Sequence, residues 1–267
     1  MSSIVPSVIV FLFGLVVGSF LNVCIYRIPR GISIIVPSSR CPSCNNPIKP
    51  QDNIPLLSYI MLRGRCRFCK ARISMRYPLV EFLNSVFYVA LLWRFGFGWH
   101  TFVYFVFSSV LIVIAFIDLD FQIIPDRITL SGIPLGFIAG SLILTDPFSR
   151  SSLLGMKNSL IGMVSGFVAF YLIALAGSAI LKKEALGGGD IKMMAMVGAV
   201  MGWKAVILST FIGSLVGSVV GIFLMVLEGK NRHAKIPFGP FLALGALFTL
   251  FFGQDMLFWY LGGQAIR

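Results

Sequence analysis

Two acidic segments are the parts of this chain best suited to chemistry. Asp190 follows three glycines between two long apolar stretches, and Asp118 ends another apolar run. A carboxylate at the border of a membrane helix is costly, so such a residue usually has a function and a partner. Two carboxylates a few ångströms apart share a proton, and such a pair can activate water and polarise a carbonyl group. The pattern therefore predicts hydrolysis of peptide bonds in membrane-inserted substrates.

The spacing of the residues leaves open which acid pairs with Asp190. Asp118 lies nearest the apolar run, whereas Asp120 and Asp126 can equally be solvated interfacial charges or helix caps. Pro125 resists continuation of a helix and marks a turn beside these acids. Interfacial aspartates and glycine turns are common, so the glycine-rich segment alone is a weak signal. Gly187 and Gly189 would let Asp190 approach its partner closely.

The composition places these acids in an integral membrane protein. Hydrophobic residues make up 57% of the 267 residues, 12% are charged, and the mean hydropathy is +0.91. A bilayer can solvate this much apolar surface, and a soluble domain cannot bury it. The backbone must then satisfy its own hydrogen bonds, which predicts an all-α bundle of helices. About eight spans are predicted, at residues 4–26, 79–95, 101–117, 128–145, 158–181, 191–202, 205–227 and 237–253.

Two of these segments need comment. The first is predicted to be an uncleaved span, since it is too long for a signal-peptide core and no basic residue precedes it. The segment 191–202 is short and rich in Met and Gly, so we expect it to be either half-buried or packed inside the protein. Residues 236–240 open the last span, and their prolines are interpreted as marking a helix start.

The positive charge fits membrane topology better than it fits nucleic-acid binding. The net charge is +12, and ten of the 22 Lys and Arg residues lie in the hydrophilic segment 27–78. The positive-inside rule places this segment in the cytoplasm. Counting spans from there puts both acidic segments at the cytoplasmic face and both chain ends outside. The basic loops are expected to meet anionic lipid headgroups, and no nucleic-acid partner is predicted.

Four cysteines in the hydrophilic segment have the spacing of a metal site. Cys41 and Cys44 form one C-x-x-C pair, and Cys66 and Cys69 form a second after 21 intervening residues. This separation fits a tetrahedral structural zinc site with four thiolate ligands. Two disulfides are the alternative, but the cytoplasm keeps thiols reduced. A segment this short lacks an apolar core of its own, so a metal ion would stabilise its fold.

The motifs together resemble the bacterial type IV prepilin leader peptidases along nearly the whole chain. The resemblance begins with the stretch from Gly18 to Pro29, the two cysteine pairs and the stretch from Arg76 to Glu81. It continues through the Asp118 and Asp190 segments. The latter fits the G-x-G-D motif of intramembrane aspartyl proteases and is followed by Lys192. The set ends with the stretch Pro237 to Pro240. Each motif alone is modest, but the ordered set is specific.

This resemblance implies an endopeptidase with Asp118 and Asp190 as its catalytic pair. It leaves Asp120 and Asp126 as supporting residues at most. The implied substrates are type IV prepilins or pseudopilins of type II secretion, cleaved after a glycine at the cytoplasmic face of the bacterial inner membrane. The retained cysteines further imply N-methylation of the new terminus from S-adenosylmethionine, whose binding residues the sequence does not reveal.

The sequence therefore predicts three parts and leaves two rival functions. Residues 1–26 would be a first transmembrane helix, 27–78 a four-cysteine zinc domain and 79–267 a multi-span peptidase domain. A polytopic transporter or channel is the alternative, with the acids lining an ion path. A zinc-stabilised scaffold without catalysis is a third hypothesis.

Overall fold

Helices account for almost all of the regular structure. The protein was analysed as a computed structural model, which describes residues 4–149, 152–182, 186–228 and 237–260. Within these ranges the regular elements are α-helices, one short 3-10 turn and three isolated β-bridges. The helices are α1 (Ile4–Arg27), α2 (Leu57–Met61), α3 (Arg76–Phe95), α4 (Trp99–Phe121), α5 (Asp126–Leu142), α6 (Gly155–Leu181), α7 (Gly188–Met201), α8 (Trp203–Glu228) and α9 (Gly239–Tyr260). The all-α prediction is confirmed.

Each of the eight apolar segments of the sequence forms a helix. Six of the helices, α1, α3, α4, α6, α8 and α9, are long and apolar enough to cross a membrane. The other two, α5 and α7, have 17 and 14 residues. The chain is therefore a multi-pass membrane protein with six candidate spans among the residues described.

At the two acids, helices α4 and α7 extend beyond the spans predicted from the sequence. Helix α4 continues to Phe121, so Asp118 and Asp120 belong to its last turns and do not follow it. Helix α7 begins at Gly188, so Asp190 lies in its first turn. Helices tolerate polar residues at their ends, where side chains can satisfy free backbone groups. For that reason apolar runs underestimate helix length at both acids.

The chain divides into two compact units, Met1–Val113 and Ile114–Arg267. In the first unit α1 packs against α3. A Cβ added at Gly14 or Gly18 would lie 2.7 Å from the Cα of Ser85 or Glu81, respectively. These glycines allow the two helix backbones to approach closely, as small residues do in membrane bundles.

Helix α7 is the centre of the second unit. It packs against α5, α6, α8 and α9, and eleven of its fourteen residues are buried. Its backbone meets α6 at Gly162 and Gly198, where each glycine faces the carbonyl oxygen of the other. Of the two alternatives predicted for this short segment, half-buried or packed inside the protein, the structure shows the second. The buried position of α7 fixes Asp190 at the edge of a tightly packed core.

Candidate active site and metal centre

Asp118 is held in a buried position near the end of α4. Only 5% of its surface is exposed, and it continues the buried face formed by Leu111 and Ile114. Its carboxylate Oδ2 accepts a hydrogen bond of 2.9 Å from the backbone N–H of Gly239, the first residue of α9. The N-terminus of a helix carries free N–H groups and a partial positive charge, which favour a carboxylate. The contact therefore orients one oxygen of Asp118.

Glycine is the only residue type that fits at position 239 without displacing a neighbouring group. A Cβ at position 239 would lie 2.7 Å from Asp118 Oδ2 and 3.2 Å from Ile124 Cδ1. Both distances are shorter than ordinary van der Waals contact. Residues 236–240 were interpreted from the sequence as a helix start; residue 236 lies outside the described residues, and α9 begins at Gly239, which also supplies a partner for Asp118. The sequence reasoning missed this second role.

Asp190 lies at the N-terminal end of α7, where its carboxylate folds back over the preceding residues. Its exposed fraction is 9%. Carboxylate Oδ2 lies 3.3 Å from the position that a Cβ of residue 187 would occupy, so a side chain at Gly187 would crowd it. Among the described residues, the buried Oδ1 has no hydrogen-bond partner. A buried carboxylate oxygen left without a partner is costly, which favours a functional role for Asp190.

The glycines beside the two acids both contact Ile124, in the turn between α4 and α5. A Cβ at Gly189 would lie 2.6 Å from Ile124 Cβ, and Gly239 contacts the other end of the same side chain. Ile124 therefore lies between Gly239, whose N–H binds Asp118, and Gly189, which precedes Asp190. The structure thus brings Asp118 and Asp190 to one site, although they are 72 positions apart in the sequence. Two buried carboxylates in this arrangement hold a single proton more easily than two negative charges.

The remaining acids of this region are more exposed than Asp118 and Asp190. Asp126, at the start of α5, accepts a 2.7 Å ion-pair hydrogen bond from Lys192 of α7. This pair connects the helix that follows Asp118 to the helix that carries Asp190. Asp120 is exposed and lies two residues beyond Asp118 on the same helix. The geometry is consistent with supporting positions for Asp126 and Lys192.

The four cysteines form a compact cluster in the first unit. The sulfur atoms of Cys41, Cys44, Cys66 and Cys69 all lie within 4.8 Å of one another, and all four thiols are free. The Sγ atoms of Cys41 and Cys69 are 3.8 Å apart. A tetrahedron with Zn–S bonds of about 2.3 Å requires sulfur separations of about 3.8 Å. The cluster could therefore hold a metal ion of this size, and disulfide pairing is not observed.

Both cysteine pairs are formed by the same backbone turn. Cys41 N–H donates to Asn46 and its carbonyl accepts from Asn45, while Cys66 makes the equivalent bonds to Ala71 and Lys70. Asn45 and Lys70 both have positive φ, at 57° and 61°. Each turn is closed by one isolated β-bridge, Arg40 with Pro47 and Arg65 with Arg72. The repeated turn presents two sulfur atoms from each half toward a common centre.

An ion pair fixes the second cysteine turn to the 3-10 turn Pro50–Asp52. The Arg67 guanidinium donates three hydrogen bonds of 2.6–3.0 Å to the Asp52 carboxylate. These bonds hold the pKa of the Asp52 carboxyl below its ordinary value, with a smaller contribution from the charge of Arg67 itself. A bidentate Arg–carboxylate pair fixes the relative orientation of the two side chains in addition to pairing their charges. The connection therefore helps to fix the loop between the two cysteine pairs.

Comparisons with known proteins agree with this architecture. Residues 12–95 match the family model described as the bacterial peptidase A24 N-terminal domain, and residues 105–222 match that of the type IV leader peptidase family. A protein of Aeromonas hydrophila is 37% identical over 95% of this chain and 93% of its own length. A Pseudomonas aeruginosa protein is 33% identical over 94% and 91%, respectively. Both relatives are named prepilin leader peptidase/N-methyltransferase. No solved structure gives a significant match.

The fold and site define a multi-pass membrane protein with a four-cysteine cluster and a buried pair of acids. The chain belongs to the type IV leader peptidase family, as its identity to full-length relatives shows. The comparisons give no support to the transporter or channel alternative.

Proposed function

We propose that this protein is a membrane aspartyl endopeptidase that removes the leader of type IV prepilins or pseudopilins. The observation that carries the proposal is that two buried acids flank Ile124: Asp118 is bound by Gly239, Asp190 follows Gly189, and both glycines contact Ile124. Relatives across most of the chain are named prepilin leader peptidase/N-methyltransferase, which supports the same substrate class. The cleavage would occur after a glycine, at the cytoplasmic face of the bacterial inner membrane.

The pair acts by general acid–base catalysis. The ionised carboxyl accepts a proton from a water molecule, while the protonated carboxyl donates a hydrogen bond to the scissile carbonyl oxygen. The Gly239 N–H fixes Asp118 during this step, and Asp190 Oδ1, which has no hydrogen-bond partner among the described residues, would bind the water or the scissile carbonyl group. The absence of a Cβ at Gly187 and Gly189 lets the start of α7 pack against Ile124 without crowding the Asp190 carboxylate. The reaction needs no metal ion and no covalent intermediate.

The four cysteines hold a structural zinc ion in this proposal. All four ligand positions are protein thiolates, which leaves no open position for a catalytic water. The metal would stabilise the hydrophilic segment 27–78, with 1–26 as a first membrane helix and 79–267 as the peptidase part. The substrate's apolar helix would pack in the bilayer, while the basic loops contact lipid headgroups.

The second activity is N-methylation of the new pilin terminus. S-adenosylmethionine supplies an electrophilic methyl group on a sulfonium. When bound, it would supply the methyl group for the new terminal amine, which would lose a proton to water. This activity rests on the names of the relatives.

Cleavage by the Asp118→Asn and Asp190→Asn variants tests the peptidase. Membranes containing each variant are incubated with a prepilin, and the product is analysed by gel mobility and intact mass. The proposal predicts a loss of about a hundredfold or more for each variant with the protein still folded and inserted. Cleavage at the wild-type rate by either variant would rule out the acid pair.

A further inference from the structure

Ile124 extends its side chain from one acid segment to the other. Its Cβ lies 2.6 Å from the position that a Cβ of Gly189 would occupy, and its Cδ1 lies 3.2 Å from the equivalent position at Gly239. Asp190 directly follows Gly189, and the N–H of Gly239 binds Asp118. One end of Ile124 is therefore beside the start of α7, and the other end is beside the Asp118 carboxylate. The acid–base mechanism gives this apolar side chain no chemical task.

The distal end of Ile124 and one oxygen of Asp118 border the same small space. A Cβ at position 239 would lie 2.7 Å from Asp118 Oδ2 and 3.2 Å from Ile124 Cδ1. Carbon atoms in favourable van der Waals contact are about 3.5 to 4.0 Å apart. A methyl group therefore does not fit at this point between the carboxylate and Ile124, whether it belongs to α9 or to a substrate.

The proximal end of Ile124 is equally close to its neighbour. A Cβ at Gly189 would lie 2.6 Å from Ile124 Cβ and 3.4 Å from Ile124 Cα. Rotation about the Cα–Cβ bond moves neither of these atoms, so a change of rotamer cannot relieve the contact. Isoleucine is also branched at Cβ, which restricts its side chain to few rotamers. Ile124 is therefore a stiff apolar wall beside the two acids.

The turn that carries Ile124 is fixed on both sides. Gln122 adopts a left-handed conformation with φ 54°, and its N–H donates a 2.9 Å hydrogen bond to the carbonyl oxygen of Asp118. Pro125 has a ring-restricted φ of −66°, and its carbonyl oxygen accepts a 3.0 Å hydrogen bond from the N–H of Ile128. The side chain between them is half-buried, which leaves part of its surface for a substrate to contact.

A substrate cut by these acids must bring one backbone segment close to Ile124. The scissile carbonyl group has to lie within hydrogen-bond distance of the acid that polarises it. Ile124 lies beside both acid segments, so the residue that carries this carbonyl packs next to its side chain. A glycine has no Cβ to collide with that wall, whereas alanine adds the methyl group for which there is no space.

We infer that Ile124 is a specificity-determining residue, whose side chain restricts the substrate residue before the cleaved bond to glycine. The inference rests on the proposed function and adds to it the residue that selects the cleavage site. Ile124 acts by steric exclusion and takes no part in proton transfer. A site that discriminates on one methyl or methylene group changes kcat/KM by about 10- to 200-fold. The wild type should prefer glycine over alanine by a factor in this range.

Cleavage of two substrates by one series of variants tests the inference. The substrates are a prepilin with glycine before the cut and the same prepilin with alanine at that position. The measured quantity is the ratio of their kcat/KM values, glycine over alanine, in membranes that contain the full-length protein. Ile124→Ala removes every side-chain atom beyond Cβ and should lower this ratio about tenfold or more. Most of the change should come from faster cleavage of the alanine substrate.

Two further variants make the result specific to position 124. Ile124→Val removes Cδ1, the atom beside Gly239, and changes stability less than Ile124→Ala does. It should lower the ratio about threefold or more. Ile123→Ala makes the same change as Ile124→Ala at the adjacent residue, which is 46% exposed, and should leave the ratio unchanged. A loss of folded protein lowers both rates in proportion, so the ratio reports the site and not the stability.

The outcomes separate the inference from the function on which it depends. No cleavage of the glycine prepilin by the wild type would overturn the proposed function, and the inference with it. Equal cleavage of both substrates by the wild type would overturn the inference alone. So would a wild-type ratio in both Ile124 variants, or an equal fall in Ile123→Ala. If Ile124→Ala cleaves neither substrate, the ratio in Ile124→Val decides. A lower ratio at position 124 only is the result expected.

Discussion

Replacing Gly239 by alanine should strongly reduce cleavage, although position 239 contributes no side chain. The added Cβ would lie 2.7 Å from Asp118 Oδ2 and 3.2 Å from Ile124 Cδ1. Either the carboxylate or the start of α9 must move, and the 2.9 Å hydrogen bond from Gly239 N–H is lost or bent. A hydrogen bond to a charged group contributes about 1.5 to 3 kcal/mol. The expected loss of kcat/KM is therefore about 10- to 150-fold.

The measurement is the initial rate of prepilin cleavage at several substrate concentrations in membranes. Gly188→Ala is the matched control, because a Cβ at position 188 meets nothing within 4 Å. It makes the same substitution two residues from Asp190 and should retain near-normal activity. Methylation of an already cleaved pilin should stay normal in Gly239→Ala, because the variant's defect lies at the acids. Wild-type cleavage by Gly239→Ala, or an equal loss in both variants, would refute the role given to this amide.

Three further results are expected. Lys192→Ala should lower kcat/KM by no more than about fivefold, because its ion pair with Asp126 is partly exposed and contributes about 0.2 to 1 kcal/mol. Added salt should lower the wild-type cleavage rate toward the rate of this variant. A loss as large as that of Asp190→Asn would contradict the supporting role of Lys192. Gly162→Val should lower the free energy of unfolding, measured in detergent, by about 1 to 3 kcal/mol, since the new side chain meets the Gly198 carbonyl oxygen. Unchanged stability would contradict the close contact between α6 and α7. Elemental analysis should find one metal ion per wild-type chain and none in Cys41→Ser, whose residues 27–78 should become sensitive to proteolysis. A metal-free wild type would contradict the zinc assignment.

The helices and the cysteine cluster were predictable because their signals are local. Long apolar runs produce membrane helices, and C-x-x-C pairs bring two thiolates together within one turn. The short length and the Met- and Gly-rich composition of the 191–202 segment predicted that it is half-buried or packed inside the protein. The ends of α4 and α7 were less predictable, because polar residues such as Asp118 and Asp190 continue a helix beyond its apolar run.

The contacts that complete the site depend on packing between distant segments. Asp118 meets an amide 121 positions away, and no side-chain pattern identifies a backbone donor. Ile124 is an ordinary apolar residue whose role follows only from its position between Gly189 and Gly239. The glycines were the available signal, since a residue without a Cβ often marks a close approach. Their partners required the three-dimensional structure.

The central claim is that Asp118 and Asp190 act as one catalytic unit, and a comparison of single and double variants tests it most directly. The kcat/KM for prepilin cleavage is measured for Asp118→Asn, Asp190→Asn and the double variant in the same membranes. Groups that act as a unit give strongly non-additive losses. The account predicts that each single variant loses about a hundredfold or more and that the double variant loses about as much as either. Losses that multiply in the double variant, or a single variant that retains cleavage, would contradict it.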